Sequence, residues 1–482
     1  METTEPRKPG ATMPRAPRWT WIGFVLLAAA APFLLFPGGW RTLALVIILL
    51  IWIGNRLATG HFIRRTPVDA IILVLLVMVL VSLYATYDIA ISLPKIAGLI
   101  LGVGVFYALA SAGQHARGWW ICLLAFLTVG LGIAAISLLG TRWGAKLPIL
   151  DAVIARLPIQ ITGLPGAETG FNPNEVAGAL LWAIPMFVIL TGLALIRARA
   201  WLATYGRRWG IVTIAGLAIG TLTVTGGFLL AQSRGAYIAL ILAGLVLLSI
   251  VLPSRKRWLA LGGLGLIAIL TVLVARPDGA NSLLEALFSG STVGDPGSVL
   301  NSIDGRLEIW SRALYAIQDF PFTGMGMNTF RHVVHVLYPL FLIPPDVDIA
   351  HAHNEFLQAA LDLGLPGLIA FIALYIVAFW MLRAIWHSPS TLHPPTSNFQ
   401  LPISNLQSPI PNYQFPSVTL HLLLLGLAGG LLAHLIYGLT DAVALGAKPG
   451  ILFWMLLGLI AALFEQTGAA RQKYLAARSV SC

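Results

Sequence analysis

Charge is scarce in this 482-residue chain. Asp, Glu, Lys and Arg together make up 10% of it, where a soluble domain carries roughly a quarter. So few ionised side chains cannot cover a water-facing surface, and soluble enzymes, disordered chains and fibrous repeats are excluded. Cysteine is nearly absent too. Cys122 lies in an apolar run and Cys482 at the terminus, which gives neither a disulfide framework nor a thiolate metal site. What fills the chain is apolar: 58% of the residues are hydrophobic, in recurring stretches of about 18 residues or more, the length that crosses a bilayer as a helix.

Twelve such segments are predicted to span the membrane, at 19–37, 42–57, 68–87, 96–112, 119–139, 175–196, 209–231, 235–252, 258–275, 366–384, 419–440 and 450–464. The expectation is an all-α polytopic membrane protein with about twelve transmembrane helices. The first segment has no clear small-residue cleavage site and is read as a helix, not a signal peptide. Placing both termini in the cytoplasm puts 19 of the 30 basic residues and 4 of the 19 acidic ones on the inner side. Clusters such as Arg197, Arg199, Arg207 and Arg208, or Arg255, Lys256 and Arg257, then fall in short inner loops, as the positive-inside rule requires. The net charge of +11 is thereby assigned to topology and anionic membrane lipid, with no nucleic-acid partner.

This reading divides the chain into a cytoplasmic tail (1–18), nine helices (19–275), a long extracytoplasmic loop (276–365), three helices (366–464) and a cytoplasmic tail (465–482). Within the last group of helices an inner loop at 388–418 repeats SNFQLPI, SNLQSPI and PNYQFPS. A proline every seventh residue forbids a coiled coil, so a flexible loop is expected. The long loop carries helical signal in GRLEIWSRALYAIQDF, with Asp304 as its expected N-cap, Glu308 and Arg312 as an i,i+4 pair, and Pro321 ending the run.

Ionisable groups are also missing from the apolar cores of the spans, His421 and His434 excepted. Ion-coupled carriers bury such groups at mid-membrane, and exporters of this size show repeats between halves; neither feature is present. Polar chemistry gathers at the outer face instead. Arg234 stands in AQSRGAYIAL, where Gly235 is expected to make the turn sharp, and Arg306 opens the loop helix, where backbone N–H groups favour an anion. Arginine is suited to bidentate phosphate binding. Arg331, His332 and His335 follow in RHVVHVLYP, then His351, His353 and Asn354 in AHAHNEF. An H-x-H pair can ligate a metal, but no nearby carboxylate has the spacing of a metal motif, so no metal and no other cofactor is expected. A neutral imidazole there can serve as general base or orient a phosphate. Two arginines and a histidine pair on one face point to an anionic lipid-linked substrate.

Four segments, ETGFNPNEVAGALLWAIP (168–185), LLAQSRGAYIALIL (229–242), DGRLEIWSRALYAIQDFPFTGMGMNTF (304–330) and HAHNEFLQAALDLGLPGLIAF (351–371), resemble the O-antigen ligase family of bacterial polysaccharide assembly. The resemblance implies a GT-C-type glycosyltransferase with short helices in its large outer loop, resident in the cytoplasmic membrane. It implies inverting, metal-independent transfer of a glycan from an undecaprenyl-diphosphate carrier to a hydroxyl of lipid A core or another glycan acceptor. Carried onto this chain, Arg234 and Arg306 would hold the diphosphate and His353 would be the base or an orienting group. His351, Asn354, Arg331 and either His332 or His335 would contact substrate. Asn174 matches the family's N-P-N turn, where an N-cap for span six is the structural reading. Polymerases of the same family share these motifs, and an exporter is the alternative from another class.

Overall fold

The computed structural model describes residues 18–35, 43–144, 148–157, 161–163, 170–253, 256–258, 262, 303–388 and 417–468. The ninth expected span (apart from 258 and 262), loop residues 276–302 and the repeat region 389–416 lie outside them, as do residues 1–17 and 469–482 of the tails. Among the described residues there is no strand, only an isolated bridge between Thr141 and Phe171.

The helices are α1 (Arg18–Leu35), α2 (Leu45–Thr59), α3 (Asp69–Ala85), α4 (Ile89–Ala112), α5 (Ala116–Gly140), α6 (Pro148–Ile154), α7 (Pro173–Leu181), α8 (Ile184–Ile196), α9 (Ala198–Tyr205), α10 (Arg207–Leu230) and α11 (Arg234–Val251). After the gap come α12 (Ile303–Asp319), α13 (Phe330–Leu337), α14 (Glu355–Trp386), α15 (Ser417–Tyr437) and α16 (Ile451–Gln466). Among the described residues seven helices are long and apolar enough to cross a membrane, or eight if α7 and α8, bent by 50° at their junction, are one span. Helices α1, α2 and α3 are apolar but shorter. The chain is thus an all-α, multi-pass membrane protein. The sixth expected span is broken rather than continuous, and within α14 the backbone kinks at Gly364, so that the tenth expected span, from 366, follows the kink and a shorter helical segment from Glu355 precedes it.

Close approach of backbones organises the centre. A Cβ on Gly102 of α4 would lie 2.1 Å from the Trp454 ring of α16, so glycine there lets the indole seat between the two helices, as small residues do at membrane helix contacts. At the end of the same interface, a Cβ on Gly98 would lie 2.1 Å from the Gly446 carbonyl oxygen, and Gly446 itself has φ +79. This contact fixes the segment 438–447, which joins α15 to α16, against the first turns of α4. Outward-facing Ile211, Val212, Ile219 and Leu222 of α10 are exposed, a surface that lipid would cover.

The segment from α12 to α14 has its own small core of Ile309, Ala313, Ala316, Met325, Phe330, Val334, Ile343 and Ile349. Its helix ends at Asp319, one residue before Phe320-Pro321, and Glu308 and Arg312 pair at 3.8 Å. Asp304 sits within the first turn of α12 rather than ahead of it. The glycine-rich turn that follows packs on α14: Gly324 (φ +66) meets Gly364 (φ +69), where a Cβ on Gly324 would be 2.6 Å from the Gly364 nitrogen. The Met325 N–H donates to the Leu361 carbonyl at 2.7 Å.

Candidate functional site

The site forms where the residues ahead of α14 meet the segment 438–447. Asn354 caps α14, its side-chain oxygen accepting the N–H groups of Phe356 and Leu357 at 3.0 Å each, the local reason an Asn ends this approach. Its amide nitrogen donates to the Leu439 carbonyl at 3.0 Å, and the Glu355 N–H donates to Gly438 at 2.8 Å. These bonds tie the His351–His353 strap to the turn that carries Thr440 and Asp441. Trp310 of α12 donates to the His353 carbonyl at 3.4 Å. Gln358, one turn into α14, accepts the Ala352 N–H at 2.9 Å and donates to Asp362 at 2.8 Å.

Asp441 is the hub. Its Oδ1 accepts from His353 Nδ1 at 3.2 Å, Arg306 Nη2 lies 3.8 Å from Oδ2, and His351 Nε2 lies 3.7 Å from Oδ1. Arg306 also donates to the Thr440 carbonyl. All of these side chains are buried. Because an ionised carboxylate only accepts, the bond assigns a proton to His353 Nδ1, and in the neutral ring the lone pair is then on Nε2. His353 holds φ +48, a left-handed conformation rare for a side-chain-bearing residue and one that gathers at functional sites.

Electrostatics follow from this packing. Burial raises the Asp441 carboxyl, but the His353 charge and hydrogen bond, with Arg306 and His351, outweigh it and hold the group well below the usual carboxylate range. Burial, then the His353 charge, push His351 down to about 3 against the pull of Asp441. His351 is therefore neutral. Its Nδ1 accepts the His353 N–H at 3.2 Å.

The other expected residues fall into three places. Arg234 opens α11, and a Cβ on its neighbour Gly235 would come 3.0 Å from Thr440 Oγ1. The turn's left-handed residue is Gln232 (φ 47), so Gly235 serves the close approach to Thr440 and not the sharpness of the turn. Asn174 is not the N-cap of α7: Asn172 is, accepting the Asn174 N–H at 2.9 Å, with Pro173 between them. The Asn174 carbonyl accepts the Tyr437 hydroxyl at 2.6 Å, which fixes α7 to the end of α15. Arg331, His332 and His335 lie on α13. Arg331 pairs with Asp348 and His335 Nε2 bonds the Val347 carbonyl at 2.9 Å. Among the described residues, none of these three bonds to Arg306, His351, His353 or Asp441.

Three site residues escape local sequence reading. Asp441 is the first ionisable group after span 419–440, on the side where the arginines are expected, and that position was its signal. Glu175 of α7 brings Oε1 to 3.7 Å from His351 Nε2. Lys95, on the turn of α4 that Gly446 touches, bears on His351 through its charge. It makes no hydrogen bond or ion pair with any described residue.

His351, His353 and Asp441 bring ligand atoms within 4.8 Å of one another and could hold a metal. The carboxylate that the H-x-H pair lacked locally arrives from 88 residues away. Against a resident ion, Asp441 already faces the Arg306 cation and the His353 donor.

Residues 219–372 match the family model described as O-antigen ligase. Over this third of its length the chain is similar to the O-antigen ligase family. The match includes Arg234, Arg306 and the His351–His353 strap; Asp441, Glu175 and Lys95 lie outside it. Among curated proteins, none matches the chain.

Proposed function

We propose that this protein is a glycosyltransferase of the cytoplasmic membrane that moves a glycan from an undecaprenyl-diphosphate carrier to an acceptor hydroxyl at the outer face. The proposal takes the expected twelve spans and GT-C arrangement as its frame, with both termini cytoplasmic and the segment from α12 to the start of α14 outside. The supporting observation is the His353–Asp441–Arg306 cluster: an oriented imidazole beside a buried guanidinium.

A diphosphate leaving group carries the energy of transfer, so no nucleotide site is needed. Arg306 and Arg234 hold the diphosphate and offset the charge that grows on it as the glycosidic bond breaks. His353 Nε2 takes the proton of the acceptor hydroxyl as it attacks the anomeric carbon from the opposite side, which inverts that centre. Asp441 keeps the ring aimed and stabilises the imidazolium that results. None of these steps calls on a metal. The acceptor is lipid A core or another surface glycan, as in a ligase.

The test is transfer in reconstituted membranes from undecaprenyl-diphosphate glycan, with EDTA present, to lipid A core or to more of the same donor. Product on the core that is lost in Arg306→Ala and His353→Ala is the expected result. Extension of the donor alone makes the protein a polymerase, and wild-type rates in both variants sink the site. Donor movement across the bilayer without transfer returns the exporter.

A further inference from the structure

One buried donor of the site has no task in the steps above. His351 accepts the His353 N–H on Nδ1, which places its own proton on Nε2. That Nε2–H finds no hydrogen-bond partner among the described residues and is sealed from solvent. Two carboxylate oxygens flank it, Glu175 Oε1 and Asp441 Oδ1, each at 3.7 Å. The gap exceeds a hydrogen bond and is the kind that a shared third group bridges. Asp441 is already committed to His353 and to the Ala442 N–H at 2.9 Å. Glu175 is not, and with its side chain 40% exposed it is the member of this group open to an incoming molecule.

The two imidazoles stand side by side, their ring centres 4.5 Å apart. If His353 receives the attacking hydroxyl, His351 is placed for a hydroxyl on the adjacent ring carbon. A hydroxyl can accept from an N–H and donate to a carboxylate at once, which is what the pair offers. Glu175 is held for this by the capped start of α7 and by the Asn174–Tyr437 bond that ties α7 to the Asp441 turn.

We propose that Glu175 and His351 form an acceptor subsite that binds a sugar hydroxyl adjacent to the one that attacks, accepting its proton in a hydrogen bond to Glu175 Oε1 and donating to it from His351 Nε2. No bond is made or broken there. The pair selects which acceptor hydroxyl faces His353, and it rests on the glycosyltransferase reading above. Glu175 is an acceptor-binding residue that lies outside the matched domain.

The experiment compares wild type, Glu175→Gln, Glu175→Asp and Arg306→Ala in proteoliposomes, with undecaprenyl-diphosphate glycan as donor and lipid A core as acceptor. It reads acceptor kcat/KM, donor affinity and the linkage of the product. Glu175→Gln should lower acceptor kcat/KM about tenfold to a hundredfold, the effect of losing a hydrogen bond to a charged group. It should leave donor affinity within about twofold and give mixed linkages, while Glu175→Asp recovers part of the rate. Wild-type acceptor kcat/KM in Glu175→Gln overturns the subsite. A loss of donor affinity matching Arg306→Ala also overturns it, placing Glu175 in the donor site. A wild type that binds donor but transfers to no acceptor overturns the functional reading, and the subsite with it.

Discussion

His353 and Asp441 are 88 residues apart in the chain and meet at 3.2 Å. The bond crosses from the strap ahead of α14 to the turn after α15, so the two ends of this pair are positioned by different helices. The backbone bond from Glu355 to Gly438 and the Asn354–Leu439 bond hold the crossing in register. Asp441→Asn should therefore leave the fold intact while removing the charge that orients and stabilises the imidazole. Transfer should fall about a hundredfold or more, with donor affinity little changed. Steady-state kinetics alongside a donor-binding isotherm check this, and a variant that transfers at the wild-type rate would show the pair to be purely structural.

Arg306 touches both the Thr440 carbonyl and the Asp441 carboxylate. Lysine would keep the charge but not the planar fork that reaches two acceptors. Arg306→Ala should cost about a hundredfold or more in rate and weaken donor binding, and Arg306→Lys should recover only a small part. Equal activity in Arg306→Lys would mean that charge alone matters at this position.

The apolar architecture was legible because each span is a run of one kind of residue and needs no partner to be recognised. The α12 helix was legible for a different reason: its Glu308–Arg312 pair, its apolar spacing and Pro321 are all local. The histidine pair and the two arginines stand out in the sequence because they sit in short distinctive motifs. Asp441 was not, because its meaning arises only when the turn after α15 folds against α14. Lys95 and Glu175 were missed for the same reason. Gly235 and Asn174 show the limit of local rules. Both lie beside the feature expected of them, but their neighbours Gln232 and Asn172 perform it, and each serves a tertiary contact with the Tyr437–Asp441 region instead.

Asn354 has both ends of its amide engaged within the protein, capping α14 and holding Leu439. Asn354→Ala should thus cost about 1–2 kcal/mol of stability, from the lost cap and the lost bond. Asn354→Asp keeps the capping oxygen and should recover the larger share. Thermal unfolding in detergent tests this. A variant with unchanged stability and tenfold weaker donor binding would make the residue a substrate contact.

The ligand atoms of His351, His353 and Asp441 lie within 4.8 Å of one another, so the site should tolerate EDTA yet be poisoned by zinc. A zinc ion would take the histidine lone pairs and the Asp441 oxygen, and His353 needs its lone pair to receive a proton. Transfer should survive chelation and fall when zinc is added, with His351→Gln needing more zinc for the same inhibition. Activity lost to EDTA and restored by zinc would make the cluster a metal centre.

Stability should fall as the medium is acidified, because His351 stays neutral in the folded protein down to about pH 3. Its ordinary value in an unfolded chain is about 6.5. Between these limits the unfolded chain binds a proton at this residue that the folded protein does not, so stability rises with pH across the window. On acidification below about 6.5 the loss attributable to this residue approaches about 1.4 kcal/mol per pH unit. Asp441 contributes nothing between pH 5 and 7, since it is ionised in both states there. The measurement is the pH dependence of the unfolding midpoint for wild type and His351→Gln, whose side chain cannot take up the proton. A shallower slope in the variant over pH 5 to 6.5 is expected. Identical slopes would mean that His351 is charged in the folded protein and therefore that its Nε2–H is paired with a carboxylate at rest.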